Sequence, residues 1–228
     1  NANVANGKTV TISSSYSGDD VSNYSITNQS STTANIFAKT LTANASASNK
    51  TYNGNTTATV TLTFSGLVGS QTLGQSVTAA FNNKNVGTGK TVTVSAITLS
   101  DGSNGGLASN YTISAGQTTT ANIAGKALTV SGITAPNKTY DGNTNAPLDV
   151  SSISYSGLVS GDDIGGLFSG TFENKNIGTG KTVTISSSYS GVDSGNYSVT
   201  DQSSTTANIT ARTLTVSGLT ASNKTYDA

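Results

Sequence analysis

Apolar and polar residues alternate with period two along much of the chain. Thr-Val-Thr-Ile-Ser at 182–186, Thr-Val-Thr-Val-Ser at 91–95 and Thr-Val-Thr-Leu-Thr-Phe at 59–64 each put one side chain in two on an apolar face. That spacing predicts half-buried β-strands, because successive side chains on a strand point to opposite faces. Further strands are predicted at 127–131, 148–156, 168–173, 197–200 and 205–209. Between them stand turn signals: Asp141-Gly142-Asn143, Gly178-Thr179-Gly180 and Ser160-Gly161-Asp162-Asp163. Gly and Asn there supply left-handed backbone, and Asp caps its own chain. Helical periodicity is scarce, and the Gly-rich loop at 161–166 is expected to hold one turn at most.

The pattern repeats. Asn-Lys-Thr-Tyr occurs at 49–52, 137–140 and 223–226, spacings of 88 and 86 residues. Asn-Tyr recurs at Asn23-Tyr24, Asn110-Tyr111 and Asn196-Tyr197, and Thr-Ala-Asn-Ile closes at Ile36, Ile123 and Ile209. Residues 8–36 match 181–209 at 24 of 29 positions, while the middle copy is five residues longer. The expected organisation is the C-terminal part of one repeat at 1–37, complete repeats at 38–124 and 125–210, and the start of another at 211–228. The chain opens without Met and stops inside the repeated motif, which reads as an excerpt from a longer polypeptide.

A repeat of this length exceeds a solenoid coil and suits a domain that closes its own small core. Six or seven strands per repeat predict an all-β array of small β-sandwich or β-grasp-like domains. Only two residues separate Thr-Ala-Asn-Ile from the next Lys-x-Leu-Thr, so the array is expected to run end to end as an extended, semi-rigid rod.

Composition narrows the chemistry. The 228 residues contain 11 Lys+Arg and 11 Asp+Glu, with no Cys, His, Trp or Met. Balanced charge gives no pull toward nucleic acid. Without Cys and His there are no disulfides, thiol nucleophiles, histidine bases or Cys/His zinc sites. Val, Ile, Leu and Phe number 45, against 74 Ser and Thr and 24 Asn. That apolar content borders on the disordered range, but near-zero net charge, nine Tyr and regular apolar spacing favour folding. No window approaches a membrane span, so no membrane insertion is expected of this segment.

Several ordered motifs carry a family resemblance: Lys126-x-Leu128-Thr129, Asn137-Lys138-Thr139-Tyr140-Asp141-Gly142, Ser156-Gly157-Leu158-Val159-x-Gly161-Asp162 and the closing Thr-Ala-Asn-Ile. Together they resemble the YDG/MBG-type repeats of large bacterial exoproteins, found in tandem in adhesins similar to filamentous haemagglutinin, many exported by two-partner secretion. The resemblance implies an extracellular location at the bacterial cell surface, as an attached or shed rod. Tyr52-Asn53-Gly54 departs from Tyr-Asp-Gly.

Each candidate for chemistry has a structural alternative. Tyr140-Asp141-Gly142 could form a recognition loop, but Asp-Gly after a strand is an ordinary tight turn, and Asn53 suits that turn while removing a carboxylate. Asp162-Asp163, Asp19-Asp20 and Asp101 could serve a Ca²⁺ loop, but they do not align between repeats and read as solvated. With Glu173 as the one Glu, paired-carboxylate glycosidase chemistry is not expected. Lys84, Lys90, Lys175 and Lys181 could form Lys-Asn isopeptide staples, though Glu173, the acid such a bond would use, aligns with Asn82. They read instead as surface gatekeepers on an edge strand. Thr-x-Thr rows resemble ice-binding arrays but follow from β-propensity alone. Ten Asn-x-Ser/Thr sequons, Asn49, Asn137 and Asn223 among them, are about what chance supplies. Tyr24, Tyr111 and Tyr197 are expected to pack their rings on the core, with hydroxyls bonded at the domain edge.

No catalytic, cofactor-binding or metal-binding residue is assigned, no cofactor is expected and no enzyme activity is read. The expected function is structural: a repeat of an extracellular fibre or adhesin stalk supporting adhesion, aggregation or biofilm matrix. Self-association, end to end or lateral, is the expected partner mode, with host or neighbouring-cell surface glycans and proteins as further partners. The alternative is a repeated glycan- or protein-binding module.

Overall fold

The computed structural model describes residues 1–228. Every regular element of length is a strand, joined by three single 3₁₀ turns, and no α-helix packs on the sheets. The chain divides into two compact units: Asn1–Lys50 with Asn55–Ala124, and Gly125–Ala228 with Thr51–Gly54.

The second unit contains β11 (Lys126–Ser131), β12 (Lys138–Thr139), β13 (Asn145–Ala146), β14 (Ser154–Ser156), β15 (Gly165–Phe172), β16 (Gly178–Ser190), β17 (Tyr197–Thr200) and β18 (Ser204–Thr210). Five strands form one sheet in the order β12-β18-β16-β15-β13, and three form another in the order β14-β11-β17. β11 runs parallel to β17, and β12 parallel to β18; the other named pairs are antiparallel.

The core lies between these sheets because alternation puts every second residue there. Val183 and Ile185 of β16 are buried while Thr182 and Thr184 face outward. Ile185 packs with Val130 and Ile133, and Tyr155, Phe168, Tyr189 and Val199 close around them. A second cluster joins Phe172, Val183, Ala207, Ile209 and Ala146, with Tyr140 and Leu148 at its margin.

The first unit repeats this plan with β3 (Lys39–Thr40), β4 (Thr42–Ala47), β6 (Val60–Ser65), β7 (Leu73–Phe81), β8 (Gly87–Asp101), β9 (Tyr111–Thr112) and β10 (Thr118–Ala124). The edge strand β5 (Lys50–Thr51) completes a sheet of order β5-β10-β8-β7, beside the pairs β3-β9 and β4-β6. Leu41, Leu62, Phe81, Val92, Val94 and Ile123 are its main buried side chains. β1 (Ala5–Thr11) and β2 (Ser31–Ile36) pair with each other alone.

Three expectations need correction. The stretch 148–156 is not one strand, because a turn at Ser151-Ser152 interrupts it, held by Ser151 N–H donating to Asp149 Oδ1 at 2.9 Å. β15 begins at Gly165, and the 3₁₀ turn of this unit lies at Ser194–Asn196. Residues 125–210 hold eight strands rather than six or seven, because two-residue edge strands carry too little alternation to register. Lys181 is no edge gatekeeper: β16 lies between β15 and β18, and Lys181 is 7% exposed. Its Nζ donates to Asn174 Oδ1 at 2.8 Å and Glu173 Oε1 at 3.3 Å, so its charge is neutralised beside the sheet. Lys90 likewise stands on β8, between β7 and β10.

With so small a core, each large side chain carries a large share of stability. Phe172→Ala is expected to cost about 3–5 kcal/mol, whereas Leu167→Ala on the exposed face of the same strand should cost under about 0.5 kcal/mol. Urea unfolding followed by circular dichroism measures both, and equal costs would contradict the assigned core.

Candidate functional site

The repeated motifs converge on two constellations. The first is built by Asn-Lys-Thr-Tyr. In the second unit Asn137 Oδ1 accepts the backbone N–H of Asn208 at 2.8 Å, fixing the segment beside β18. Asn49 does the same for Asn122 at 2.7 Å. The side chains of Asn208 and Asn122 accept in turn from Gly180 N–H at 2.7 Å and Gly89 N–H at 2.8 Å. Both glycines have φ near +60°, where a Cβ would be strained, so the Gly-Thr-Gly bulge and the Asn of Thr-Ala-Asn-Ile are one device.

The lysine then folds back over its own loop. Lys138 Nζ donates to Asp141 Oδ1 (2.9 Å), Asn143 O (3.0 Å), Asn143 Oδ1 (3.0 Å) and Asn145 O (2.9 Å). It also lies 5.5 Å from the centroid of the buried Phe172 ring. Lys50 repeats this arrangement on Asn55 O, Asn55 Oδ1 and Thr57 O, 5.3 Å from the Phe81 centroid. An ammonium has three donors and no acceptor, so a ring of carbonyl oxygens over an aromatic face is its natural socket.

Asp141 thus has a local role. It accepts from Lys138 Nζ and from Asn143 N–H at 3.1 Å, and Gly142 follows at φ +84°. The Lys138 hydrogen bond, then the Asn143 backbone bond, hold its carboxyl below the usual range. In the other copy Asn53 replaces Asp141, Gly54 keeps φ +79°, and burial lowers the pKa of Lys50.

The second constellation centres on Asn-Tyr. Tyr197 is buried, its hydroxyl donates to Asp162 Oδ2 at 2.5 Å, and it accepts from Val159 N–H at 2.9 Å. Tyr52, in the Thr51–Gly54 segment that packs within the second unit, donates to the same Asp162 oxygen at 2.8 Å. The two rings meet edge to face, with centroids 5.5 Å apart. Burial, followed by the Asp162 hydrogen bond, pushes the Tyr197 hydroxyl up to about 12. In the first unit Tyr111 donates to Gln71 Oε1 and accepts from Val68 N–H at 3.1 Å. Gln71 stands where Asp162 stands in the longer motif, so the position needs an acceptor rather than a charge.

Asp162, a candidate Ca²⁺ ligand in the sequence, is therefore occupied by tyrosines. Asp163 N–H donates to Asp193 Oδ2 at 3.1 Å, and Asn23 Nδ2 donates to Asp20 Oδ1 at 3.4 Å. No three acidic side chains come together as a metal-holding group. Glu173 is half exposed beside Lys181, while the equivalent Lys90 meets only the amide oxygen of Asn83, at 2.6 Å. Tyr24 is 72% exposed, unlike Tyr111 and Tyr197, because β1 and β2 have no facing sheet to receive its ring. Sequence reasoning passed over Lys50 and Lys138, although Lys recurs in all three Asn-Lys-Thr-Tyr copies.

The sequence profile of the YDG domain matches residues 38–121 and 124–207, about three quarters of the chain. No curated protein and no solved structure matches the chain.

The folded protein holds the Tyr197 proton more tightly than an unfolded chain does. Its contribution is therefore complete below about pH 10, the ordinary tyrosine value, and is lost as pH rises toward about 12. Alkaline unfolding followed by circular dichroism should show this loss, and Tyr197→Phe should flatten it between those values. An unchanged slope would contradict the Asp162–Tyr197 assignment.

Proposed function

Because this chain belongs to the YDG domain family and carries two copies in tandem, we propose that it is a structural repeat region of an extracellular bacterial fibre or adhesin stalk. One observation carries the reading: the residues that define the repeat are consumed in holding it together. Asn137, Lys138, Asp141, Tyr197 and Asp162 each use at least one polar side-chain atom in a bond to the protein's own backbone or side chains. A signature spent on internal bonds is that of a building block, copied for length.

The mechanism of such a region lies in repetition. Domains placed end to end by joints of two residues project whatever lies at the tip. Many weak contacts spread along similar units add up through effective concentration rather than through a single strong site. Association between chains, end to end or lateral, supports adhesion, aggregation or a biofilm matrix, with export to the bacterial surface.

Small-angle scattering across a concentration series tests this reading. An elongated particle is expected, either at the mass of one chain, as for a stalk, or growing in one dimension, as for a filament. A compact globule at all concentrations would overturn it.

A further inference from the structure

The two units treat the equivalent sheet edge differently. In the first, β7 carries a register shift between Thr78 and Ala79, and Gln75 Nε2 donates to Leu62 O at 3.0 Å, tying the edge to β6. A bulge and a covering side chain are ordinary protections against stray strand pairing. In the second unit β15 pairs with β16 from Gly165 to Phe172 without a shift. Counting back from Phe81 and Phe172, Gly166 stands in place of Gln75, and the exposed Leu167 in place of Ser76.

Strand β13 covers only part of this edge. Asn145 and Ala146 pair with Thr171 and Gly170, and Phe172 N–H donates to Thr144 O at 2.8 Å. Alternate residues of a strand direct their backbone groups to the same side. Gly166 and Phe168 therefore direct theirs to that side too, where no strand pairs with them. Beside them a groove of about 700 Å³ runs past Pro147, Leu148 and Val150. Leu167 is 74% exposed, and β15 holds neither a charged residue nor a Pro.

We infer that residues 165–169 of β15 form a self-docking edge, paired antiparallel with the same five residues of a second copy of this chain. β13 blocks pairing from Gly170 onward, so the open stretch is centred on Leu167. A two-fold arrangement about that centre places the two β13 strands at opposite ends. Gly166 and Phe168 of one copy exchange backbone bonds with Phe168 and Gly166 of the other. Leu167 then meets Leu167 in a non-hydrogen-bonded pair, where Cα atoms lie about 4.5 Å apart and side chains are closest. The strand is neutral, so identical copies meet without like-charge repulsion. Five residues a side bury less than the roughly 1,200 Å² of a stable interface, so each contact is weak and gains strength by repetition along an array. The inference rests on the self-association branch of the fibre reading and names its contact.

Because the chain has no Cys, a single introduced thiol reports on the pairing. Leu167→Cys and Ser169→Cys chains, each altered at an exposed position of β15, are oxidised separately at equal concentration. The Leu167→Cys dimer is expected to form about tenfold faster, because the pairing holds its two thiols in contact. The two copies of position 169 lie four residues apart along the paired strands, about 14 Å, whereas a disulfide spans Cα atoms no more than about 7 Å apart. In unfolding urea the two rates should converge. Equal rates in the folded chain, or a difference that persists in urea, would overturn the edge. Leu167→Lys sets a charge against its own copy, so its mass in sedimentation should stay at one chain while that of the unaltered chain rises with concentration. Its urea midpoint should not move, which separates lost docking from lost folding. Mass that stays at one chain for both, or rises equally for both, would also overturn the edge. Those results leave the elongated stalk of the fibre reading intact, whereas a docked but compact particle in scattering would sink that reading and leave the edge standing.

Discussion

The constraint beneath this structure is a shortage of apolar side chains. Each unit closes around a handful of Val, Ile, Leu, Phe and Tyr residues, too few to hold a dozen short strands and turns by burial alone. The deficit is made up where a charged side chain can satisfy several backbone carbonyls at once. Lys138, seated among oxygens of Asp141, Asn143 and Asn145 and over Phe172, is the clearest case. It fixes a loop that would otherwise lose its backbone entropy for little return, and ties that loop to the aromatic centre of the core. A single neutral hydrogen bond contributes about 0.5–1.5 kcal/mol net, but bonds to a charged group contribute about 1.5–3 kcal/mol. Such clips therefore weigh heavily in a fold of modest stability.

The asparagines extend the same economy to the sheet. Asn137 and Asn208 work in series, the first capping an edge strand and the second closing a glycine bulge. Tyrosine serves twice, its ring adding apolar area and its hydroxyl joining the Leu-Val turn to Asp162 or Gln71. Serine and threonine fill the outward positions. A domain with 10% charged residues and a third apolar residues can then present a hydroxyl-rich face and keep its backbone paired.

Much of this was legible in the sequence because period-two alternation and repeat spacing are one-dimensional signals. Residues 182–186 and 91–95 read as strands from their Thr-Val pattern, and the 86-residue spacing separated domain repeats from a solenoid. What stayed hidden was which polar residues meet. Asp162 looked like a solvated loop acid because its tyrosine partners lie 35 and 110 residues away. Lys181 looked like a surface charge because its burial depends on Asn174 and Glu173 folding back beside a central strand. The Lys138 clip was within reach, since its acceptors lie three, five and seven residues downstream and Lys recurs in every copy. Position 71 carries the subtlest signal: Gln for Asp keeps an acceptor and drops a charge, which marks a hydrogen bond rather than a metal ligand.

Amide hydrogen exchange tests most directly whether polar side chains hold the sheets together. Gly89 and Gly180 are at exposed bulges, and their amides are bonded only through the side chains of Asn122 and Asn208. They should exchange as slowly as the amides of the strands they join, and those of Asn122 and Asn208, held by Asn49 and Asn137, should do the same. Exchange of these four amides at the rate of open loops, while the core strands stay protected, would contradict the account.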